Sequence, residues 1–347
     1  MSRPESRASP LSYRAGTQPA LPSLAVEYIL PLRWDDDADL DELTDYLTAL
    51  RAWTDVTVVD GSDPERFAAH AAAWSGLVRH VPVDERPGAN GKVRGVLTGV
   101  AIARHERIVL ADDDVRYGRQ ALDAVVSALD SASLVIPQNH FDPLPWHARW
   151  DTGRTLLNRA VGRDWPGTYA VRRSVLRTVG GYDADTLFEN LEMERTIRAV
   201  GGIVQARPDL YVARRPPTTR HFLSQRVRQA YDSFAQPARL ALEASALPAL
   251  CLLRRRPAAL TVVVLGLVAL AERGRRRAGG SAVFPASSAL WAPLWVAERA
   301  VSAWLAIGTR LRGGVRYGGQ RMPVAAHSVR TIRQRLEREN ATGIARK

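Results

Sequence analysis

The feature that most constrains the fold is an alternation of short apolar runs with segments of helical periodicity over residues 25–137. The apolar runs are predicted strands, and the segments between them are predicted helices: strands 25–32, 55–59, 77–83, 107–111 and 133–137; helices 40–53, 65–74, 91–104 and 120–129. Strands that alternate with helices of this length predict a mostly parallel sheet with helices on both faces. Ligands of such α/β sheets bind beyond the carboxyl ends of the strands, so candidate functional residues are sought there.

Carboxylates are concentrated at two of these strand ends. Asp60 ends the second strand, and three consecutive aspartates follow the fourth, at 112–114. Asp112 and Asp114 are two residues apart, so in an extended segment both side chains leave on the same side. Their repulsion would be relieved by a divalent cation with oxygen ligands, Mg²⁺ or Mn²⁺. The alternative is a solvated acidic turn that caps the next helix, and the position after a buried strand favours the metal.

Charge is distributed unevenly along the 347 residues. Residues 1–200 contain 23 Lys+Arg and 29 Asp+Glu, a balance of −6, and residues 201–347 contain 25 and 7, a balance of +18. The acidic front half offers no basic surplus for phosphates, which argues against a nucleic-acid binder. An apolar content of 46% excludes wholesale disorder. The single cysteine, Cys251, cannot form an intramolecular disulfide.

Several motifs within residues 26–231 resemble glycosyltransferase family 2, whose members have the GT-A fold. The segment 58–63, Val-Val-Asp-Gly-Ser-Asp, is similar to the family's nucleotide-binding turn, which implies that Asp60 contacts the nucleoside base. Gly91-Lys92 resembles the family's glycine-rich helix start, a ready site for a diphosphate; an ordinary solvated lysine is the alternative. The segment 108–114 is similar to the family's D-x-D segment, which implies Asp114 on the metal and Asp112 on ribose or metal.

Two further blocks resemble the sugar and acceptor side of the family's site. Gly167 and Thr168 open a segment that ends at Gly180-Gly181-Tyr182-Asp183 and lines that pocket in the family. Residues 188–195 resemble the helix start that carries the family's catalytic base, but Asn190 stands where the family has aspartate. An amide cannot accept a proton as a carboxylate does, so Glu189 is the first candidate base and Glu192 the second. For Glu192, a glutamate that favours the helix dipole is an equally good interpretation.

The motif Q-x-x-R-W of the membrane-embedded members is matched in part by residues 225–229. Gln225 and Arg228 agree with it, whereas Gln229 replaces the tryptophan. An arginine there would stabilise the charge of the leaving diphosphate. His221 is either a further metal or phosphate ligand or an ordinary loop histidine.

The rear half is apolar and arginine-rich over residues 238–321. Apolar stretches at 240–253, 257–271 and 281–307 are separated by arginine clusters at 254–256 and 273–277, and none is an unbroken span of about 20 residues. These helices are expected to be short or tilted in a membrane, or to form an interfacial hairpin with arginine on anionic headgroups. A soluble helical appendage is the alternative.

The expected organisation is a disordered arm (1–24), a GT-A domain (25–235), membrane helices (236–321) and a basic tail (322–347) that contains a polar helix at 328–339. The resemblance implies an inverting glycosyltransferase of the cell envelope. Its expected donor is a UDP- or GDP-linked sugar, its cofactor Mg²⁺ or Mn²⁺, and its acceptor a lipid or glycan. The catalytic domain is expected on the cytoplasmic face of the cell membrane. Two alternatives remain: a non-catalytic member that binds nucleotide-sugar or lipid, and a binder of nucleic acid or anionic surfaces.

Overall fold

A computed structural model describes residues 23–317 and 319–342, and its main feature is one large sheet. The predicted arm therefore lies almost entirely outside the described residues. The strands of this sheet are β1 Val26–Leu32, β2 Asp55–Asp60, β3 Arg79–Pro82, β4 Arg107–Ala111, β5 Val115–Arg116, β6 Leu134–Phe141, β7 Thr168–Arg172 and β8 Val204–Arg214. The helices of the same part are α1 Leu40–Arg51, α2 Pro64–Ala73, α3 Gly91–Ile102, α4 Arg119–Ser127, α5 Trp146–Val161, α6 Arg173–Thr178, α7 Glu189–Ala199, α8 Thr219–Ser224 and α9 Arg226–Tyr231.

The strand order in the sheet is β3-β2-β1-β4-β7-β6-β8-β5. Among the described strands, the pairings β3–β2, β2–β1, β1–β4 and β6–β8 are parallel. β7 is antiparallel to both of its neighbours, and β5 is antiparallel to β8. The predicted architecture, a mostly parallel sheet flanked by helices and followed by a helical C-terminal region, is confirmed.

Apolar cores lie on both faces of the sheet because side chains alternate along each strand. On β4, Val109 joins a core formed with α1, α2 and α4, whereas Ile108 and Leu110 join a core formed with α3 and α7. Helix α3 lies very close to β1: a Cβ on Gly99 would be 2.5 Å from the Ile29 side chain. This close approach fixes the start of α3 over the carboxyl edge of the sheet.

Two long elements of the sheet domain, α5 and β8, do not appear in the predicted strand and helix pattern. Helix α5 carries many polar residues that are buried in the fold, among them Asp151, Asn158 and Arg159. Strand β8 mixes polar and apolar residues without regular alternation, and most of them are half-buried. Neither segment has the apolar periodicity from which helices and strands are recognised in a sequence. Polar residues interrupt the pattern, and they can be buried because tertiary contacts supply their hydrogen-bond partners.

The rear part of the chain contains three long helices: α10 Pro237–Leu253, α11 Pro257–Arg276 and α12 Ala292–Leu311. Helices α11 and α12 pack on α5 through an apolar cluster that includes Leu156, Ala271 and Trp295. Within the described residues, one helical stretch, Pro257–Ala282, is long and apolar enough to cross a membrane by length and composition, and only 11% of its apolar window is buried.

The chain from residue 315 onwards, which includes the predicted basic tail (322–347), contains regular structure in its described part. Strands β9 Val315–Tyr317 and β10 Gln320–Met322 form a small antiparallel sheet, and α13 spans Val329–Thr342. This helix corresponds to the polar helix predicted at 328–339. Arg335 of α13 pairs with Asp183, which ties the tail to the sheet domain.

Candidate active site

The strands β1, β2 and β4 end at one edge of the sheet, and two connected cavities open there. The outer groove, of about 950 Å³, lies over β2 and contains Asp60 and Phe67 in its wall. The inner cavity, of about 280 Å³, lies towards α5, α9 and α12. Both cavities are lined by the same central groups: Lys92, Asp112, Asp114, Glu189, Arg214, His221 and Arg228.

Lys92 links two carboxylates at this junction. Its Nζ lies 2.5 Å from Asp112 Oδ1 and 2.8 Å from Glu189 Oε1. Burial alone would lower the pKa of Lys92, but the charges of Asp112 and Glu189 outweigh burial and raise that pKa well above its usual value. Lys92 is therefore a fixed cation at the point where the two cavities meet.

The position of Lys92 follows from how α3 begins. The Asn90 side chain accepts hydrogen bonds from the backbone N–H groups of Lys92 and Val93, at 3.1 and 3.4 Å, which is a standard N-cap. The same side chain donates to the carbonyl of Thr186 at 2.9 Å. Because Thr186 precedes the start of α7 at Glu189, this contact holds the start of α3 against the start of α7.

Asp114 has one oxygen in an ion pair and one without a partner. Its Oδ2 accepts from Arg214 Nε at 2.7 Å, whereas Oδ1 is buried and has no hydrogen-bond partner among the described residues. Burial raises the pKa of Asp114 to about 6, Arg214 opposes that rise, and Asp112 and Asp113 add to it. An unpartnered carboxylate oxygen beside a second carboxylate fits a divalent cation.

Arg214 was not identified from the sequence. It ends β8, where the antiparallel pairing of β8 with β5 sets it opposite Val115, next to the aspartates. Its guanidinium lies 3.6 Å from Asp112 Oδ2 in addition to its bond with Asp114. Arg214 therefore supplies part of the positive charge that the sequence analysis assigned to a metal.

Gly167 and Thr168 have different surroundings. The carbonyl of Gly167 accepts from the backbone N–H of Asp112 at 2.9 Å, and a Cβ on Gly167 would lie 2.6 Å from Asp112 Oδ2. A larger residue at position 167 would therefore have to displace the Asp112 carboxylate. Thr168 is fully buried, donates to the Leu110 carbonyl at 2.7 Å, and does not line either cavity.

Asp60 is buried and lies within a histidine network. Its Oδ2 lies 2.7 Å from His70 Nδ1 and 3.0 Å from His80 Nε2, and its Oδ1 accepts from the Ser62 backbone N–H at 2.8 Å. Burial raises the pKa of Asp60, but the bonds from His80, Ser62 and His70 outweigh burial and hold that pKa well below its usual value. Both carboxylate oxygens are thus already bonded and the side chain has no exposed surface, so a ligand base could reach the carboxylate only if one of these bonds opened.

The three candidate residues at the start of α7 point to different places. Glu189 and Asn190 line the inner cavity, and Glu189 also reaches the outer groove. Glu192 is fully buried and accepts from the His327 backbone N–H at 2.7 Å, beside the C-terminal segment. Of the two glutamates considered as the base, only Glu189 lies in the cavities.

Gln225 and Arg228 are joined to each other at the mouth of the inner cavity. Arg228 Nη1 donates to Gln225 Oε1 at 3.0 Å, and the guanidinium lies 4.8 Å from the ring centroid of Tyr317. His221 lines both cavities as well. Gln229, which replaces the family's tryptophan, accepts from Arg226.

Several residues of the inner cavity were missed by the sequence analysis. They come from α5, from the segment before β7, from the turn after α9, and from the rear helices: Asp151, Arg154, Trp165, Asp232, Arg239 and Arg299. Asp151 and Arg154 are an i, i+3 pair at 3.0 Å on α5. That spacing is visible in the sequence, but the helix was not predicted, and the remaining residues are brought in only by tertiary folding.

Comparison with known proteins finds distant structural likenesses. No family model and no curated protein matches the chain. One similar solved structure is the mannosyltransferase PcManGT from Pyrobaculum calidifontis in complex with GDP-Man and Mn²⁺, at 17% identity, covering 92% of this chain and 81% of that one, with a TM-score of 0.46. Another is glucosyl-3-phosphoglycerate synthase from Mycobacterium tuberculosis in complex with Mn²⁺, UDP and glucosyl-3-phosphoglycerate, at 18% identity, covering 56% and 74%, with a TM-score of 0.39. Similarity at this level does not assign the chain to a family.

Proposed function

We propose that this chain is an inverting glycosyltransferase that moves a sugar from a UDP- or GDP-linked donor to a hydroxyl group of a lipid or glycan acceptor. The observation that carries the proposal is the ion-paired series Asp112–Lys92–Glu189 at the junction of two cavities. The larger cavity offers room for the nucleotide, and the smaller one for the acceptor. A base candidate and a fixed cation at the boundary are what a displacement between two ligands requires.

Asp112 and Asp114 are proposed to hold Mg²⁺ or Mn²⁺. The buried, unpartnered Oδ1 of Asp114 supports this assignment. Two protein carboxylates suffice for such a site because Mg²⁺ commonly takes its other ligands from water and substrate phosphates. When bound, the cation would stabilise negative charge on the diphosphate.

The residues of the chain have distinct roles in the proposed reaction. Glu189 accepts the proton of the acceptor hydroxyl, whose oxygen forms a bond to the anomeric carbon while the bond from that carbon to the diphosphate oxygen breaks. Lys92 and Arg228 face the departing diphosphate and stabilise its charge. Asp60, oriented by His70 and His80, is the proposed contact for the nucleoside base.

We further propose that the protein works at the cytoplasmic face of the cell membrane, with the acceptor delivered from there. Support comes from apolar side chains that point into solvent on α10 and α11, among them Leu242, Leu252, Val262 and Leu265. The connection between these helices is an exposed run of three arginines, residues 254–256. Exposed apolar residues next to arginine are typical of a surface that binds anionic lipid headgroups.

Donor binding tests this proposal directly. Purified full-length protein is titrated with UDP and with GDP in a calorimeter, in the presence of Mn²⁺ and then of EDTA. We expect binding with Mn²⁺ that EDTA abolishes and that Asp114→Asn weakens about tenfold or more. Asp123→Asn, an exposed aspartate on α4, is the matched control. Tight nucleotide binding that is unchanged in EDTA and in Asp114→Asn would remove the metal from the proposal.

Measuring turnover distinguishes an enzyme from a non-catalytic protein that only binds nucleotide-sugar. A nucleotide-sugar binder without activity would bind donors and release no nucleoside diphosphate, with or without Glu189. A nucleic-acid binder would instead bind duplex with a steep dependence on salt concentration.

A further inference from the structure

Arg299 on α12 is a buried cation without a complete set of partners. Only 2% of the residue is exposed, and it lines the inner cavity. Its Nε and Nη1 atoms are buried and have no hydrogen-bond partner among the described residues, although the guanidinium lies 5.0 Å from the ring centroid of Trp295. An ionised group that is removed from water without hydrogen bonds is strongly destabilised. The Nε and Nη1 donors of Arg299 are therefore available to an anionic occupant of the cavity.

The carboxylates near Arg299 do not supply these missing hydrogen bonds. Glu243 accepts from Arg239 at 2.9 Å and from Ser233 at 2.7 Å. Glu298 lies 3.8 Å from Arg226 and makes no hydrogen bond of its own among the described residues. The Nε and Nη1 donors of Arg299 thus have no acceptor among the described residues around the cavity.

Asp232 lies in the same part of the cavity. Its Oδ1 is buried and without a hydrogen-bond partner in the described part of the chain. Burial raises the pKa of Asp232 to about 7, against the opposing charges of Arg228, Arg299 and Arg239. A carboxyl group that keeps its proton near neutral pH can donate a hydrogen bond to an anion, where a carboxylate would repel it.

The proposed reacting groups Glu189 and Asp112 line the same cavity as Arg299. Trp165 and Phe188, with ring centroids 5.8 Å apart, are aromatic members of that lining. A molecule in the inner cavity can therefore meet both Glu189 and Arg299.

We infer that the inner cavity is a phosphate-binding site for the acceptor, with Arg299 and Arg239 as ligands of the phosphate. The inference rests on the proposed function, because it assigns the inner cavity to the acceptor. Two guanidinium groups with planar donor arrays suit the several oxygens of a phosphate. The phosphate belongs either to a lipid headgroup or to a soluble phosphate ester, and the experiment separates these sources.

Calorimetry of the full-length protein, with Mn²⁺ and saturating nucleoside diphosphate to fill the donor side, measures binding of glycerol 3-phosphate. Arg299→Gln is expected to weaken this binding about tenfold or more, because charge-assisted hydrogen bonds are lost. Arg273→Gln is the matched control, since Arg273 is an exposed arginine on α11. Nucleoside diphosphate binding should be equal in all three proteins.

A second measurement uses only the unmodified chain, so it does not depend on the folding of a variant. Phenylglyoxal modifies arginine side chains, and mass spectrometry follows the rate at Arg299. Protection by glycerol 3-phosphate indicates a soluble acceptor. The vesicle arm compares phosphatidylcholine vesicles with and without phosphatidic acid. A lipid acceptor is indicated if Arg299 is protected only by the vesicles that contain phosphatidic acid.

The outcomes separate the inference from the function on which it rests. Equal affinity of unmodified and Arg299→Gln protein for glycerol 3-phosphate, together with no protection of Arg299 in either arm, overturns the phosphate site even when the nucleotide binds. Failure of the unmodified chain to bind any nucleoside diphosphate overturns the proposed function instead. Protection of Arg299 by phosphate would support the anion site in that case too.

Discussion

At the residue scale, the candidate site depends on how a few charges are shared. Lys92 neutralises one oxygen each of Asp112 and Glu189, and Arg214 neutralises one oxygen of Asp114. Asp112 and Asp114 were recognisable in the sequence because they follow a predicted buried strand, whereas Lys92 and Glu189 were recognised through the resemblance to family motifs. Arg214 was not, because it is one arginine among many in a segment whose strand has no clear apolar pattern.

Substitution of the candidate base tests this arrangement. Glu189→Gln keeps the shape of the side chain and removes the proton acceptor, so we expect kcat to fall about 10²- to 10⁴-fold while donor binding remains. Glu192→Gln on the same helix is the matched comparison. Its partners are His327 and the C-terminal segment, so it should lower the melting temperature and leave kcat largely unchanged. Steady-state kinetics and thermal melting of both variants show which glutamate affects catalysis and which affects stability. Full activity in Glu189→Gln would show that another residue is the base.

The pH dependence of stability tests the environment of Asp232. Burial raises the pKa of Asp232 from 3.8 to about 7 in the folded chain. Between pH 3.8 and about 7, the Asp232 carboxyl group is protonated in the folded state and ionised in the unfolded state. Its contribution to the free energy of unfolding is therefore fully present below pH 3.8 and is lost as the pH rises towards 7. The loss is at most about 1.4 kcal/mol for each pH unit. Urea unfolding at about pH 5 and pH 8 should therefore show a smaller loss of stability for Asp232→Asn than for the unmodified chain. Equal losses would contradict the raised pKa.

At the scale of elements, the structure joins α11 to α5 through very close backbone contact. A Cβ on Gly274 would lie 2.9 Å from the Ala160 backbone nitrogen and would overlap the Leu156 carbonyl. The strands and helices up to residue 137 were predictable because their apolar period is regular. The segment of α5 was not, since its charged residues are buried against partners far away in the sequence, as Arg159 is against the Gly274 carbonyl.

Two glycines of α11 give a matched pair for this contact. Gly274→Val is expected to lower the free energy of unfolding by about 1–3 kcal/mol, because the added methyl groups must push α11 away from α5. Gly266→Val should change stability little, since a Cβ at Gly266 meets no atom within 4 Å among the described residues. Chemical denaturation of both variants measures the difference, and similar unfolding free energies would show that the α5–α11 contact is looser than described.

The exposed face of α11 is tested by vesicle binding. The double variant Val262→Ser with Leu265→Ser removes apolar groups that are 68% and 61% exposed. We expect co-sedimentation with anionic vesicles to fall about tenfold, with an unchanged melting temperature. Leu311→Ser, at the exposed end of α12, serves as the control. Vesicle binding that is unaffected by the double variant would argue against this face as the membrane contact.

At the scale of the whole molecule, the charge imbalance between the two halves corresponds to the two sides of one site. The carboxylates Asp112, Asp114 and Glu189 come from the acidic first 200 residues, whereas Arg214, Arg228, Arg239 and Arg299 come from the basic remainder. From the sequence, the rear arginines were expected on diphosphate and lipid headgroups. The position of Arg239 and Arg299 in the inner cavity was not predictable, because it depends on how α10 and α12 pack on the sheet domain.

The central claim is catalysis at the junction of the two cavities, and a donor screen measures it most directly. Membranes carrying the protein are incubated with a panel of UDP- and GDP-linked sugars and Mn²⁺, and released nucleoside diphosphate is quantified. We expect release from at least one donor and loss of that release in EDTA. The rate in Glu189→Gln should be lower by about 10²-fold or more. No release from any donor, or release that persists undiminished in EDTA and in Glu189→Gln, would contradict it.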